Sequence, residues 1–410
     1  MRRLYLLIIF TFISYLLFSQ ESVLDSTRDE VIRDFQRTLI TDEITASNEV
    51  LIFQNGKIVF RNTVNSEKKG DKPISKETIF PIWSMTKVIT NVAMLILHEK
   101  SLISFEDPLS KYLPEFSEMQ CMKKNDLKSQ ENESYCRQSN PTYKCKNELK
   151  IIHLMAHRSG ICTPDNFYLN AIKSKNLKEL INQVATIPLH YEPGTKYLYG
   201  INQSVLGRVI EVISQRTFDQ FLKEFIFDPI EMYNTKFYVT DEERKLFQPL
   251  YIKNENIKGF STDGFSSFGD IMLYEDGNKT PLGAEGLVST TDDFSKFCLM
   301  LLNNGNYNGK HIIKPESIDL ITSKFSEGYP IEDRAIRNLY GFYNGLSVFV
   351  LEDPEAMNLG ATKGIYGWGG AHSTEFWIDP KKNLFAIFMT RARTNFEQRE
   401  RFMKAVYSVY

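Results

Sequence analysis

The chain has 410 residues, of which 42% are hydrophobic and 24% are charged, and these values exclude a miniprotein, a coiled coil and a disordered tail. The formal net charge is −2, so the chain offers no excess of positive charge for nucleic acid or for an acidic membrane surface. Aromatic residues make up 13% of the chain and are sufficient for a sizeable buried core.

Residues 1–19 have the layout of a secretory signal. Arg2 and Arg3 precede an uncharged run from Leu4 to Phe18, which ends at the small residue Ser19. A membrane-spanning helix needs about twenty apolar residues, so a cleaved signal is favoured and an uncleaved N-terminal anchor is the alternative. The pattern predicts export to a periplasmic or secreted location, with a mature chain of residues 20–410.

Five cysteines become informative in an exported chain. Three of them lie in one polar segment and two in apolar surroundings: Cys121, Cys136 and Cys145 in the first group, and Cys162 and Cys298 in the second. Outside the reducing cytosol the clustered three predict at least one disulfide, with the pairing open and free thiols as the alternative. Zinc is disfavoured because the spacings of 15 and 9 match no C-x2-C pattern and no nearby histidine completes a site.

The first predicted element is a β-hairpin, in which Val50 to Phe53 and Lys57 to Phe60 flank Asn55-Gly56. A long, mostly buried helix follows at Ser84 to Lys100, where apolar residues recur at helical spacing. A polar stretch from about 118 to 148 breaks this periodicity and predicts a cysteine-containing surface insertion. Further helices are predicted over four ranges: Leu149 to His157, Leu177 to Ala185, Ser204 to Ser214 and Thr217 to Phe225.

The last part of the chain is predicted to combine helices with strands. The helices are Thr290 to Asn303, Lys314 to Thr322 and about 395–410, and the strands are Gly345 to Leu351, Thr374 to Ile378 and Leu384 to Thr390. Together these elements predict an α+β fold, in which one antiparallel sheet is built from N- and C-terminal strands and flanked by helices. The α/β lobe is expected at about 20–83 plus 284–410, and an inserted, mainly helical lobe at about 84–283, within a single domain.

The strongest candidate for catalytic chemistry is the S-x-x-K of Ser84 and Lys87. The two lie one turn apart on the same face of the predicted helix. A serine hydroxyl becomes a good nucleophile when a base takes its proton, and burial together with the positive end of a helix dipole disfavours a lysine's ammonium form. The alternative is a helix-capping Ser84 with a solvent-exposed Lys87. The same spacing at Ser66 and Lys69 lies in a polar stretch and is attributed to chance.

Two further segments carry groups that acyl transfer needs. Tyr199 ends a loop just before a predicted helix and could share proton transfer with the lysine. The segment from Gly364 to His372 is rich in glycine, which lets a backbone N–H approach a substrate as an oxyanion hole requires.

His153 and His157 share a helix face, but no third metal ligand is evident. The sequence predicts neither a metal nor a cofactor.

Taken in order, these segments resemble the serine β-lactamase-related hydrolases, which include class C β-lactamases, penicillin-binding carboxypeptidases and family VIII carboxylesterases. The similarity covers nearly the whole mature chain and includes five segments: Thr78 to Lys87, Asp107 to Pro114, His157 to Gly160, Leu206 to Glu211 and Gly286 to Thr290. The resemblance implies that Ser84 is the acylated nucleophile and that Lys87 and Tyr199 form the general base pair. It also implies an oxyanion hole made by the backbone N–H groups of Ser84 and Ala371.

The departures from the family pattern favour its esterase and acyltransferase branch. Ile201 stands where a β-lactamase has asparagine, and Trp368 replaces the lysine of a Lys-Thr-Gly motif. The lysine would face a substrate carboxylate, whereas tryptophan offers an apolar surface suited to a neutral ester. The side chains or backbone predicted to line the substrate site belong to five residues: Trp83, Trp368, Gly369, Gly370 and His372.

The predicted function is therefore that of an exported serine hydrolase acting on a small-molecule ester or amide. Nucleic-acid partners are not expected, and no membrane partner is expected beyond an N-terminal anchor. A β-lactamase or a D-alanyl-D-alanine carboxypeptidase is the first alternative, and a non-catalytic binding protein on the same fold is the second. Oligomeric state stays open.

Overall fold

The computed structural model describes residues 26–123, 141–253, 258–261, 274, 277–325, 341–356, 358–394 and 397–410. The predicted signal at residues 1–19 and the residue Cys136 lie outside these ranges. Within them, no helix combines the length and the hydrophobicity that crossing a membrane would require.

The strands are β1 (Asn48–Gln54), β2 (Lys57–Val64), β3 (Phe80–Pro81), β4 (Gln120–Met122), β5 (Thr142–Lys144), β6 (Tyr251–Lys253), β7 (Lys258–Phe260), β8 (Val288–Ser289), β9 (Asn306–Tyr307), β10 (Lys310–His311), β11 (Phe342–Asn344), β12 (Phe349–Leu351), β13 (Tyr366–Gly369), β14 (Glu375–Asp379), β15 (Leu384–Thr390) and β16 (Ala392–Arg393). The helices are α1 (26–41), α2 (Thr86–Glu99), α3 (Ile151–Met155), α4 (Phe167–Lys173), α5 (Leu177–Ala185), α6 (Asn202–Ser214), α7 (Phe218–Leu222), α8 (Asp241–Lys245), α9 (Thr291–Leu302), α10 (Pro315–Thr322) and α11 (Glu397–Val409).

An antiparallel sheet of seven strands forms the centre of the molecule, in the order β11-β12-β13-β14-β15-β1-β2. Strand β1 lies between its hairpin partner β2 and the distant strand β15, with Val50 opposite Phe388. The hairpin turn uses Asn55 and Gly56, which both have positive φ, at 51° and 85°, as the tight turns of two-residue hairpins require. The predicted α+β fold, with a sheet built from N- and C-terminal strands, is confirmed.

Helices cover both faces of this sheet. Phe294 of α9 packs edge-on against Phe376 of β14. The next residue of that strand, Trp377, contacts Phe402 of α11, and α1 joins the same layer through Phe35, which stacks on Phe402. Successive side chains of a strand point to opposite faces, so α9 lies on one side and α1 with α11 on the other.

The middle of the chain is mainly helical and packs around α6, which contacts α2, α3, α5 and α7. At the edge of this region β4 pairs with β5, and Cys121 forms a disulfide with Cys145. Cys162 is also disulfide-bonded, whereas Cys298 is a buried free thiol. The prediction of at least one disulfide is confirmed. The predicted division into two lobes and an insertion stays a prediction.

Differences from the predicted elements have local causes. The predicted strand from Gly345 to Leu351 is reduced to β12, because Ser347 has a positive φ of 58° that a strand cannot contain. His157, with φ of 56°, likewise lies beyond the end of the short helix α3. Several elements were not predicted, among them strands β11 and β13 and helices α1, α4 and α8.

Candidate active site

Ser84 lies in a tight turn, Trp83 to Met85, that leads directly into α2. Trp83 has φ of 47°, a conformation that costs energy for a bulky residue and persists only where its surroundings hold it. Its indole N–H donates to Nδ1 of His372 at 2.9 Å, and both side chains are buried. The turn therefore presents Ser84 at the beginning of the helix, with its side chain only partly buried.

Lys87 is buried beneath Ser84. Its Nζ lies 3.1 Å from Ser84 Oγ, 2.7 Å from the carbonyl oxygen of Ala284 and 3.4 Å from Oε2 of Glu285. Its side chain is only 2% exposed, so the alternative of a solvent-exposed lysine is wrong. The amine also lies 4.7 Å from the ring centre of Tyr199. The three residues predicted to carry the chemistry are thus in one cluster.

The third segment reaches this cluster through the glycines at the end of β13. Gly370 N–H donates to the carbonyl oxygen of Thr374 at 2.8 Å, and a Cβ on Gly370 would lie 2.5 Å from the carbonyl oxygen of Ile82. This close approach brings Ala371 beside the turn that carries Ser84. Within the described residues, the backbone N–H groups of Ser84 and Ala371 have no hydrogen-bond acceptor, so both donors remain available.

Trp368 lies over Tyr199. Its indole N–H donates to the Tyr199 hydroxyl at 3.3 Å, and the two ring centres are 5.7 Å apart. Trp368 also stacks on Phe349 of the neighbouring strand. Trp368, which replaces the lysine of the Lys-Thr-Gly motif, therefore supplies an aromatic face and a neutral hydrogen-bond donor.

His157 supports Tyr199 from behind, at 4.8 Å between ring centres. Its Nδ1 accepts from the Asn202 amide at 3.1 Å, and its Nε2 lies 3.1 Å from Ser347 Oγ. Burial, and next the charge of Lys87, hold the His157 pKa well below its usual value, so the imidazole is neutral. Both ring nitrogens of His157 are therefore held in hydrogen bonds, and the ring is a rigid support for Tyr199.

A family model described as Beta-lactamase matches residues 38–407, which is most of the chain. The chain belongs to the β-lactamase family. Its predicted membership of the serine β-lactamase and penicillin-binding protein superfamily is confirmed.

Two relatives each match two thirds or more of this chain. A D-alanyl-D-alanine carboxypeptidase-like protein of Escherichia coli (strain K12) is 25% identical over 308 residues, which are 68% of this chain and 65% of that protein, just under two thirds of its length. Protein Rv1367c of Mycobacterium tuberculosis (strain ATCC 25618 / H37Rv) is 24% identical and covers 83% of this chain and 84% of its own.

Among solved structures, one similar protein is EstCE1, a hydrolase with promiscuous acyltransferase activity. It superposes with a TM-score of 0.73 at 19% identity, and the match covers 94% of this chain and 100% of the EstCE1 chain. The simvastatin synthase LovD of Aspergillus terreus, in its LovD6 mutant, gives 0.72 at 17% identity, over 95% of this chain and 96% of its own. At these identities the similarity shows the fold alone.

One member of the site, Glu285, was missed by sequence reasoning in this β-lactamase-family chain. Glu285 is buried against Lys87 because β3 pairs with β8, which places residues 284–287 beside α2. Burial raises the pKa of the Glu285 carboxyl, while Lys87 and a hydrogen bond from Tyr168 act in the opposite direction. The available signal was a single charge within the otherwise apolar run from Leu282 to Val288.

The predicted substrate-site residues fall into two groups. Trp368, Gly369 and Gly370 lie on β13 or directly after it, beside Ser84 and Tyr199. Trp83 and His372 pack on each other behind the turn, each with almost no exposed surface. The assignment of all five to substrate binding stays a prediction.

Proposed function

We propose that the protein hydrolyses small, neutral carboxylic esters, or transfers their acyl groups, through an acyl-enzyme on Ser84. Support comes first from the cluster of Ser84, Lys87 and Tyr199. Lys87 Nζ is within hydrogen-bond distance of Ser84 Oγ, the distance that a general base needs to take the serine proton. Tyr199, held over the amine, is positioned to pass a proton to the departing alcohol.

In this mechanism the oxygen of Ser84 bonds to the ester carbonyl carbon while its proton moves to the base. The carbonyl π electrons move to the carbonyl oxygen, and the N–H groups of Ser84 and Ala371 stabilise the resulting oxyanion. Fixed donors of this kind contribute about 2.7–4 kcal/mol each in serine hydrolases. When the carbonyl double bond forms again, the ester C–O bond breaks and the alkoxide leaves with a proton that the base returns through Tyr199. Water, or an alcohol acting as acyl acceptor, then attacks the acyl-enzyme and releases Ser84.

One observation carries the preference for esters: the contact of Trp368 with Tyr199. A cationic side chain at this position would attract the carboxylate of a β-lactam or a peptide. The indole instead offers an apolar face, which suits the acyl or alkyl part of a neutral ester. EstCE1, which has the same fold, is described as a hydrolase with promiscuous acyltransferase activity.

The test compares p-nitrophenyl butyrate with nitrocefin. We expect Ser84→Ala to lower kcat/KM for the ester by about three orders of magnitude or more. Ser66→Ala is the matched control, because Ser66 has the same spacing to a lysine but bonds to Asp71 instead. Full activity in Ser84→Ala would disprove the nucleophile, and a nitrocefin kcat/KM at or above that of the ester would disprove the substrate class.

A D-alanyl-D-alanine carboxypeptidase is the second candidate, favoured by the E. coli relative. Release of D-alanine from a peptide ending in D-alanyl-D-alanine, at a rate above that of ester hydrolysis, would identify this activity instead.

We further propose that the protein is exported. A stable disulfide such as Cys121–Cys145 is typical of oxidising compartments, and residues 1–19 have the composition of a signal. Fractionation of cells that express the full chain, with N-terminal sequencing of the product, tests this. Recovery in the cytosol with Met1 retained would contradict it.

A further inference from the structure

We propose that Glu285 is a positioning residue that holds on its carboxyl group the proton that Lys87 must lose before it can act as a base towards Ser84. This inference rests on the proposed acyl-enzyme chemistry and extends it. It adds a fourth ionisable group to the site, one that neither the motif nor the spacing of the chain indicates.

The first support is the geometry around the Lys87 amine. The carbonyl oxygen of Ala284 lies 2.7 Å from Nζ, whereas Glu285 Oε2 lies 3.4 Å away. In a hydrogen-bonded ion pair between an ammonium and a carboxylate, the nitrogen and oxygen atoms are about 2.7–2.9 Å apart. The amine is therefore bound more closely to a neutral carbonyl than to the carboxylate, which is not the arrangement of a tight ion pair.

The second support is burial. The side chains of Lys87 and Glu285 are 2% and 5% exposed, and separated charges are costly where water is excluded. Moving the proton from Nζ to the carboxylate leaves both groups neutral without changing the total charge. Burial raises the Glu285 pKa, which favours the same neutral form.

The ionisable groups around the pair come from several elements. Tyr168 of α4 donates a hydrogen bond to the carboxylate, and the ring of Tyr199 lies over the amine. Burial is the largest cause of the lowered pKa that keeps His157 neutral. Among the described residues, the amine that faces the Glu285 carboxyl group is that of Lys87.

The proton steps balance as follows. A proton leaves Nζ of Lys87 for Oε2 of Glu285, the carboxylate oxygen that it contacts, and rotation of the neutral carboxyl group then turns the unprotonated oxygen towards the amine. The neutral amine has two N–H bonds, directed at Ala284 O and at this carboxyl oxygen, and one lone pair directed at Ser84 Oγ. As Oγ bonds to the ester carbonyl carbon, its proton moves to this lone pair, and the resulting ammonium returns a proton to the departing alkoxide through Tyr199.

The experiment is a pH profile of kcat/KM for p-nitrophenyl butyrate in the wild type and in Glu285→Gln. Without the carboxylate, Lys87 can lose its proton only to solvent. We therefore expect the acid limb to move up by about one pH unit or more, with about a tenfold loss near pH 6 that is largely recovered near pH 9. Glu285→Ala, which adds no amide donor, should behave in the same way and serves if the glutamine variant does not fold.

Glu49→Gln is the matched control. Glu49 is also buried, burial also raises its pKa, and it also pairs with one cation, Arg61, at 2.8 Å. Its loss should lower stability without moving the acid limb. For Glu285→Gln, an acid limb that stays in place or moves to lower pH would overturn the proposal, because those results indicate a structural carboxylate or a simple counterion.

Reaction with a fluorophosphonate separates this inference from the proposed substrate. Its second-order rate reports Ser84 reactivity without an ester, so the same shift in its pH profile supports the role of Glu285 even if esters are not hydrolysed. If the wild type and Glu285→Gln both hydrolyse the ester with identical pH profiles, the proposed function stands and the role of Glu285 is wrong. A wild-type protein that does not react at Ser84 at any pH overturns both.

Discussion

The indole N–H of Trp368 donates to the hydroxyl of Tyr199 at 3.3 Å, with the two ring planes tilted by 36°. Because the phenol oxygen accepts this hydrogen bond, its own O–H proton must point away from the indole nitrogen. Trp368, which stands where the family motif has a lysine, therefore also restricts the orientation of the Tyr199 hydroxyl.

Replacing Trp368 by phenylalanine keeps an aromatic ring and removes the donor. The loss of one hydrogen bond of about 0.5–1.5 kcal/mol predicts a fall in kcat for p-nitrophenyl butyrate of roughly two- to tenfold, with KM little changed. Trp377→Phe is the control, because Trp377 is buried on the next strand against α11. It should lower the melting temperature and leave kcat in place. An unchanged kcat in Trp368→Phe would mean that Tyr199 needs no orienting partner.

A methyl group on Gly370 should disturb the oxyanion hole. The added Cβ would lie 2.3 Å from Thr374 Oγ1 and 2.5 Å from Ile82 O, so β13 must move away from the turn that carries Ser84. We expect Gly370→Ala to lower the rate of acylation by about tenfold or more, measured as the burst with p-nitrophenyl butyrate. Gly364→Ala, where a Cβ meets nothing within 4 Å, should reduce stability only. Equal acylation rates in both variants would contradict the close packing.

Acid should destabilise the protein partly through His153. Burial, followed by the charges of Lys150 and Arg158, lowers the His153 pKa to about 4, so the folded state keeps the ring neutral while the unfolded chain protonates near pH 6.5. The stabilisation is complete above about pH 6.5 and is lost as the pH falls towards 4, by about 1–2 kcal/mol near pH 5.

In the wild type the backbone N–H of Lys150 donates to His153 Nδ1 at 3.2 Å. His153→Gln removes the titratable ring and keeps a side-chain acceptor for this N–H. Urea unfolding at about pH 7.5 and pH 5 should show that the free energy of unfolding falls less between these pH values in the variant than in the wild type. The exposed His311 provides the control, since His311→Gln should follow the wild type. His157 and His372 are also buried with lowered pKa values, so some acid sensitivity will remain.

The disulfide between Cys121 and Cys145 should stabilise the loop that leads to Tyr199. Met122 N–H donates to Leu189 O at 2.8 Å, and the N–H groups of Lys146 and Asn147 bind the Glu192 carboxylate. Removing a cross-link of sequence separation 24 predicts a loss of about 2–4 kcal/mol of unfolding free energy. The double variant Cys121→Ser with Cys145→Ser tests this by denaturant unfolding.

Cys298→Ala controls for the loss of a cysteine without a cross-link, because Cys298 is free. The disulfide variant should also show a lower kcat at a temperature where it is still folded. A variant with wild-type kcat would show that the Tyr199 loop is held by its backbone contacts alone.

Much of the site could be predicted because its chemistry is local in the sequence. Ser84 and Lys87 are neighbours on one helical turn, and α5 and β15 have the predicted bounds because their apolar periodicity is strong. Helix α1 also carries a readable stripe of Ile32, Phe35 and Leu39 at helical spacing, from which it could have been predicted.

The missed parts depend on contacts between distant segments. Glu285 reaches Lys87 across 198 positions, through the pairing of β3 with β8, and no local pattern encodes that pairing. Strand β13 was hidden by its own glycines, which are uncommon inside strands. Gly367 is required there because a Cβ would lie 2.1 Å from the Phe376 carbonyl oxygen.

The pairing of β1 with β15 also constrains how the protein is made. The ribosome releases residues 48–54 more than three hundred residues before residues 384–390, their neighbours in the sheet. During that interval the apolar hairpin lacks one of its two partners, and its unpaired edge is open to aggregation. The nascent chain must therefore be kept unfolded or protected until synthesis is almost complete, and a product that stops before β15 contains Ser84, Lys87 and Tyr199 but cannot assemble them.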